Sequence, residues 1–509
     1  MSTNTNGYKP NYSESESSPF NEVSDEDNSE VSDEDNSEET YHTKDTLNES
    51  GPFLYELQHT KSTQFKCLLS VCTAFAFCIL GWTKGQLGPA FLDILLICNT
   101  TLDKGSVIMT SYFIGRVIGS ILGGAVYSKC NRYLILIVAL TTNSSMFAAI
   151  PWCTTYEVMI SAHVIHGISG GVMSVTLISI AASIWGASVR GRVYMNSFYA
   201  AFAVSGFLSP MVTSKFLVPT DVIRYDTSLN NSRITVNNIS WKSSYYIPIQ
   251  RNNLTDTDEL NSSLYLAYLI SAGLAFCSAL PFAAIYLKSQ NSSFKQQNKD
   301  ELQFIGRLPT WTKILQLINV GVFAAVFISL DFTFSGYLTV FCVQHLQWKK
   351  TSGSMLTSVA FIALLSGRIG GAVLTHYLKP LTMLMISIGL CSVGFVGFLL
   401  SAVYLDHTGI WISVCVLGIP MGVVWPCLLS WINEKLIPLG GKIAAYVMIA
   451  SFMGALFSPM LFGYMMEEIS PLWFCFLSLG KTVVAIISVV FIVIYTRCQS
   501  RLESKQSND

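Results

Sequence analysis

Runs of about twenty mostly apolar residues recur from residue 64 to residue 495. No other feature constrains the fold as much. A bilayer core about 30 Å thick takes about 20 apolar residues per helix. Backbone groups left unpaired in hydrocarbon are costly, so such runs take the helical form. Twelve spans can be drawn. The first six are 66–95, 105–127, 132–152, 157–185, 193–217 and 264–287; the second six are 314–342, 353–377, 381–404, 410–432, 442–466 and 472–495. Hydrophilic segments at 218–262 and 288–313 interrupt the series, and the second divides it six and six. The chain therefore reads as an all-α membrane protein with twelve transmembrane helices in two six-helix halves. Composition agrees: 51% hydrophobic and 12% charged over 509 residues, with mean hydropathy +0.46, is too apolar for an ordinary soluble chain.

Charge is unevenly placed. Residues 1–50 hold 14 Asp/Glu against 2 Lys, and EVSDEDNS occurs at 22–29 and again at 30–37. Such a segment buries too little apolar surface to offset its ordering entropy. Residues 1–60 are thus expected to be a disordered acidic cytoplasmic tail, either a solvated spacer or a phosphorylation target at Ser24 and Ser32. The rest divides into a first half at 61–287, a linker at 288–313, a second half at 314–496 and a tail at 497–509. With the N-terminus inside, the internal loops carry 12 Lys/Arg and the short external loops 3, in keeping with the positive-inside rule. This puts both termini in the cytoplasm and the 218–262 loop outside, where Asn230, Asn238, Asn253 and Asn261 stand in glycosylation sequons. Plasma membrane is the default location. Asn291 falls inside and should stay bare. Of the thirteen cysteines, Cys98 and Cys153 fall near one membrane face, which allows a disulfide; no Cys/His cluster suggests a metal.

Charges within the spans stand out. A charged residue at a helix centre costs about 2.5–3.5 kcal/mol on insertion scales. Lys84, Arg116, His163, His166, Asp331, Arg368 and Lys481 lie well inside spans, and Asp93 lies near the end of the first. The stretch GWTKGQLGPAFLDI (81–94) puts Trp82, Gln86, Pro89 and Asp93 along one stripe, with Lys84 pointing elsewhere. Gly85, Gly88 and Pro89 are expected to interrupt this helix. Carbonyls freed there would join Asp93 as oxygen ligands for a transported cation such as Na+, or else Asp93 merely ends the helix. Lys84 and Asp331 are expected to pair across a central cavity. Arg116 and Arg368 bond either to carbonyls or to a carboxylate. His163 and His166, beside glycines, read as packing residues.

GRVIGSILGG (115–124) and GRIGGAVL (367–374) are similar segments, six helices apart. Two related halves holding a solute at the bilayer midplane is a common transporter plan. With GGAVYSKCNR (123–132), these segments resemble the major facilitator superfamily, although Ser128 and Asn131 replace the usual Asp and Gly of that loop. A narrower resemblance is to the sodium-dependent glucose transporter 1 family, related to fucose permeases. It rests on LGPAFLDI (87–94), GFLSPMV (206–212), SGRIGG with LKP (366–371, 378–380) and GIPMGVVWPCLLSW (418–431). It implies the two-half major facilitator fold and transport of a hexose such as glucose by alternating access, with sodium as the candidate coupling ion. A sugar needs hydroxyl partners and an aromatic platform. The resemblance places Gln86, Asn196, Tyr199, Thr333, Tyr337 and Trp425 on cavity-lining helices, Trp425 being the favoured aromatic.

The expected partners are a sugar or other small polar solute, a coupling cation and the lipid bilayer, with no nucleic acid and no resident cofactor; the chain reads as a monomer. Two other readings stay open. One is a proton-coupled or facilitative transporter of fucose, urea or a polyol. The other is a non-transporting membrane sensor with an acidic recruiting tail. No catalytic motif such as a Walker loop, GxSxG or HExxH is present.

Overall fold

The apolar runs do fold as helices. A computed structural model describes residues 52–218, 263–290 and 308–506. The acidic repeats, the four sequons, Asn291, Ser24 and Ser32 lie outside the described residues. The first half comprises α1 (Pro52–Ile97), α2 (Leu102–Tyr127), α3 (Arg132–Ala149), α4 (Tyr156–Trp185), α5 (Val189–Ser214) and α6 (Leu264–Gln290). The second comprises α7 (Thr310–Gln344), α8 (Lys350–Leu374), α9 (Pro380–Val403), α10 (His407–Trp431), α11 (Gly441–Leu456), α12 (Ser458–Tyr464) and α13 (Trp473–Gln506). α11 and α12 share one span, broken at Phe457, because Pro459 donates no hydrogen bond and its ring clashes with the preceding turn.

Among the described residues, eleven helices are long and apolar enough to cross a membrane. The twelfth, α5, is as long as α2 but carries Arg190, Arg192, Asn196, Ser205 and Ser209. It is shielded by its neighbours: Gly206 of α5 packs against Gly85 of α1 on one side and the Phe361 ring of α8 on the other. The outer surface is apolar, with Val71, Ile121, Val138, Val393 and Val490 exposed, while Lys84, Asp93, Arg116 and Arg368 are buried. A chain that exposes its valines and buries its charges is arranged for hydrocarbon surroundings. This is a multi-pass membrane protein.

The same pairings recur after six helices. α2 packs on α4, α1 on α5 and α3 on α6; α8 packs on α10, α7 on α11 and α9 on α13. Glycines make the closest crossings. A Cβ at Gly119 would overlap Ile168 O of α4, and one at Gly367 would overlap Ile419 O of α10. Small residues let helix backbones approach in membranes, where van der Waals packing replaces the hydrophobic drive. The Gly-Arg segments noted in the sequence thus sit at equivalent seams. Between halves, α5 meets α8 and α2 meets α11 and α12.

Two expectations need correction. α1 runs unbroken through Pro89. Its glycines serve close approach instead of a break: Gly85 faces Gly206, and Gly88 faces Ser335 O of α7. The second concerns Cys98 and Cys153, which are free thiols. Burial pushes the Cys98 thiol up to about 11, and neighbouring Cys153 adds to the shift.

Candidate functional site

Among the described residues, three ion pairs join the halves, at three depths. At the end of the bundle bearing the 98–101 turn, Asp93 Oδ1 lies 2.7 Å from Lys350 Nζ, and Asp93 Oδ2 accepts from the Val218 N–H at 2.9 Å. Asp93 is fully buried. Lys350, counted in a loop from the sequence, is the first residue of α8 and is itself buried. At the opposite end, Arg192 of α5 lies 3.0 Å from Glu434, in the π-helical turn after α10, and also donates to Thr375 O. Between them, Lys84 Nζ of α1 lies 2.5 Å from Asp331 Oδ2 of α7. The pair holds one buried ammonium against one carboxylate.

Aromatic rings surround the central pair. Lys84 Nζ sits 4.9 Å from the Phe332 ring centre, 5.5 Å from Phe361 and 6.0 Å from Phe202. Two of these rings are shared with guanidinium groups. Arg116 Cζ lies 5.6 Å from Phe332 and 4.4 Å from Phe452; Arg368 Cζ lies 4.9 Å from Phe202. Desolvated cations over aromatic faces gain about 2 kcal/mol or more each. Arg116 donates to Tyr112 Oη, Gly170 O and Ser174 Oγ; Arg368 donates to Tyr199 O. Of the two options left open by the sequence, the carbonyl and hydroxyl option is the one seen. The buried Nε of each guanidinium has no acceptor among the described residues.

The sugar-contact candidates separate. Trp425 Nε1 of α10 donates to Tyr199 Oη of α5 at 2.7 Å, so these two bridge the halves beside Arg368. Asn196 is buried one turn from Arg192, with Nδ2 on Arg192 O and Oδ1 without a hydrogen-bond partner among the described residues. The other three face elsewhere. Gln86 Oε1 accepts from Ser271 Oγ inside the first half, lining a cavity of about 20 Å³ with His163 and His166. That volume holds about one water. Thr333 accepts from Lys481 on the α13 side, and Lys481 also reaches Ser329 and Ser458. Tyr337 Oη lies 2.6 Å from Ser106 Oγ and 2.9 Å from Pro459 O, tying α7 to α2 and α12. His163 bonds to Met159 O and His166 packs on Tyr112 and Phe147.

Sequence reading missed Lys350, Arg192 and Glu434 as partners, and the Phe202, Phe332 and Phe452 cage. Arg192 and Glu434 fall just outside the spans that the sequence draws, where charge is unremarkable. A phenylalanine in an apolar span carries no signal of its own.

The Major Facilitator Superfamily model matches residues 260–440. The proton:xylose symporter XylE superposes with TM-score 0.61 at 10% identity, covering 85% of this chain and 96% of XylE. FucP, in an outward conformation, superposes with TM-score 0.52 at 13% identity, covering 82% and 98%. These likenesses show the major facilitator fold. It resembles sodium-dependent glucose transporter 1 of Homo sapiens, at 23% identity over 85% of this chain and 80% of that protein. The rat protein of the same name is 24% identical over 90% and 92%. The similar proteins are named as transporters or symporters.

Proposed function

We propose that the protein is a secondary transporter that moves a small polar solute of the hexose type by alternating access. The observation that carries this reading is the placement of inter-half ion pairs at both ends, Asp93–Lys350 and Arg192–Glu434, around a buried polar and aromatic centre. Breaking one end pair at a time would open the centre to one side at a time. The names of the similar glucose transporters support a hexose. In this reading the termini are cytoplasmic, so Asp93–Lys350 is the outer closure and Arg192–Glu434 the inner one.

Sodium coupling enters through Asp93. Both carboxylate oxygens are occupied, so a sodium ion would have to displace the Lys350 ammonium. Loss of that pair would loosen the outer closure, linking ion entry to opening. Tyr199 and Trp425 supply the hydroxyl and aromatic face for the solute. Proteoliposomes test this directly. Saturable uptake of labelled glucose, stimulated by an inward sodium gradient and insensitive to that gradient in Asp93→Asn, is the expected result. Sodium-independent saturable uptake would remove the coupling and leave the transporter; absence of uptake for hexoses, fucose, urea and polyols alike would remove both.

A further inference from the structure

We propose that the centre of this protein is built for an anion: a carboxylate on the transported solute seats among Lys84, Arg116 and Arg368, so the substrate is a sugar acid. This rests on the transport reading above and narrows its solute class. Three cations converge there through shared rings, Phe332 between Lys84 and Arg116 and Phe202 between Lys84 and Arg368. One carboxylate, Asp331, answers them. Arg116 and Arg368 have no carboxylate partner among the described residues; their bonds go to carbonyls and neutral hydroxyls. The fully buried carboxylate of Asp93 is taken by Lys350 and the Val218 N–H.

The donor inventory matches the charge. Arg116 Nε and Arg368 Nε are buried N–H groups without a hydrogen-bond acceptor among the described residues. Buried donors without acceptors are costly, and buried cations without counter-charge more so. A neutral hexose has hydroxyls that accept hydrogen bonds but leaves the charge excess untouched. A carboxylate answers both deficits, with strong charge-assisted bonds to guanidinium N–H groups. The sugar portion has aromatic neighbours in Tyr199, Trp425, Phe202 and Phe332. A sodium ion moving with such a solute would make the transported pair electrically neutral.

The test compares glucuronate with glucose, which share a ring and differ by a carboxylate at one carbon. Binding to the purified full chain in chloride-free detergent buffer is read by tryptophan fluorescence. Expected is half-saturation by glucuronate at a concentration at least tenfold below that of glucose. Arg368→Gln and Arg116→Gln should each reduce this preference to threefold or less. If either variant fails to fold, the wild-type ratio alone decides. Glucose binding as tightly as glucuronate, or no glucuronate binding, overturns the proposal. A chloride arm separates a solute carboxylate from an inorganic anion: if chloride alone gives the whole response and glucuronate adds nothing, the carboxylate assignment fails. Counterflow in proteoliposomes separates this from the transport reading. Glucose flux without glucuronate flux overturns the anion site and leaves transport standing; tight glucuronate binding without flux of either does the reverse.

Discussion

At the scale of single residues, Asp93 and Lys350 are the sharpest case. Both are buried and each is the other's charge partner. Breaking a buried pair by removing one partner costs about 3–5 kcal/mol, because a lone charge is left behind. Asp93→Asn and Lys350→Met should therefore each lower the thermal midpoint in detergent. The double variant should lie closer to wild type than either single; a double that is as unstable as the sum of the singles would show the two residues acting independently. The central pair gives a second prediction. Lys84→Asp and Asp331→Lys should each reduce uptake at least tenfold, about 1.4 kcal/mol in the affected step. Combining them should recover part of the loss; a combination no better than either single rules out the pair as the functional contact. Lys84, Asp331, Arg116 and Arg368 were all legible in the sequence, since a charge in an apolar run announces itself. Their partners were less so. Lys350 looks like a loop residue, and only the approach of α8 to α1 places it beside Asp93. Gln86, Thr333 and Tyr337 stand out by residue type on the expected helices, and helix number alone does not say which neighbour each side chain faces.

At the scale of helices, spacing was a better guide. The apolar runs gave the span positions, and the Gly-Arg segments of α2 and α8 marked equivalent seams. What sequence could not separate is a glycine that loosens a helix from one that lets another helix in. Gly85 and Gly88 illustrate this: with Pro89 they suggest a break, yet α1 continues and both glycines lie against other backbones. The distinction is testable on α8. Gly367 meets Ile419 O of α10, whereas a Cβ at Gly370 would meet nothing within 4 Å. Gly367→Ala should lower stability and expression, because backbone cannot move aside as a side chain would. Gly370→Ala should be neutral or stabilising by up to about 1 kcal/mol, the usual gain from replacing a helical glycine. Equal losses at both positions would mean that the seam is not what constrains Gly367. The polar α5 reads as a span in the sequence although it is not among the eleven helices apolar enough by composition to cross a membrane; its shielding by α1 and α8 explains how so many polar residues are accommodated.

For the whole molecule, the two end closures should compete. Weakening Arg192–Glu434 by Glu434→Ala favours opening at that end. Asn196, buried one turn away, provides a reporter: Asn196→Cys should label faster with a polar thiol reagent when Glu434→Ala is also present, measured against the same pair of chains without Asn196→Cys. Unchanged labelling would show that the pair does not hold that end shut. The ties at both ends share one chemical property. Asp93, Lys350, Tyr337, Ser106, Arg192 and Glu434 are groups that water solvates well. When an end parts, incoming water can take over each bond that the partner gives up, whereas the glycine seams have nothing to offer it. Opening is then a hydration event, and its equilibrium should respond to water activity. Solutes excluded from the protein surface, such as sucrose, should bias the molecule toward its closed form by withdrawing the water that opening takes up.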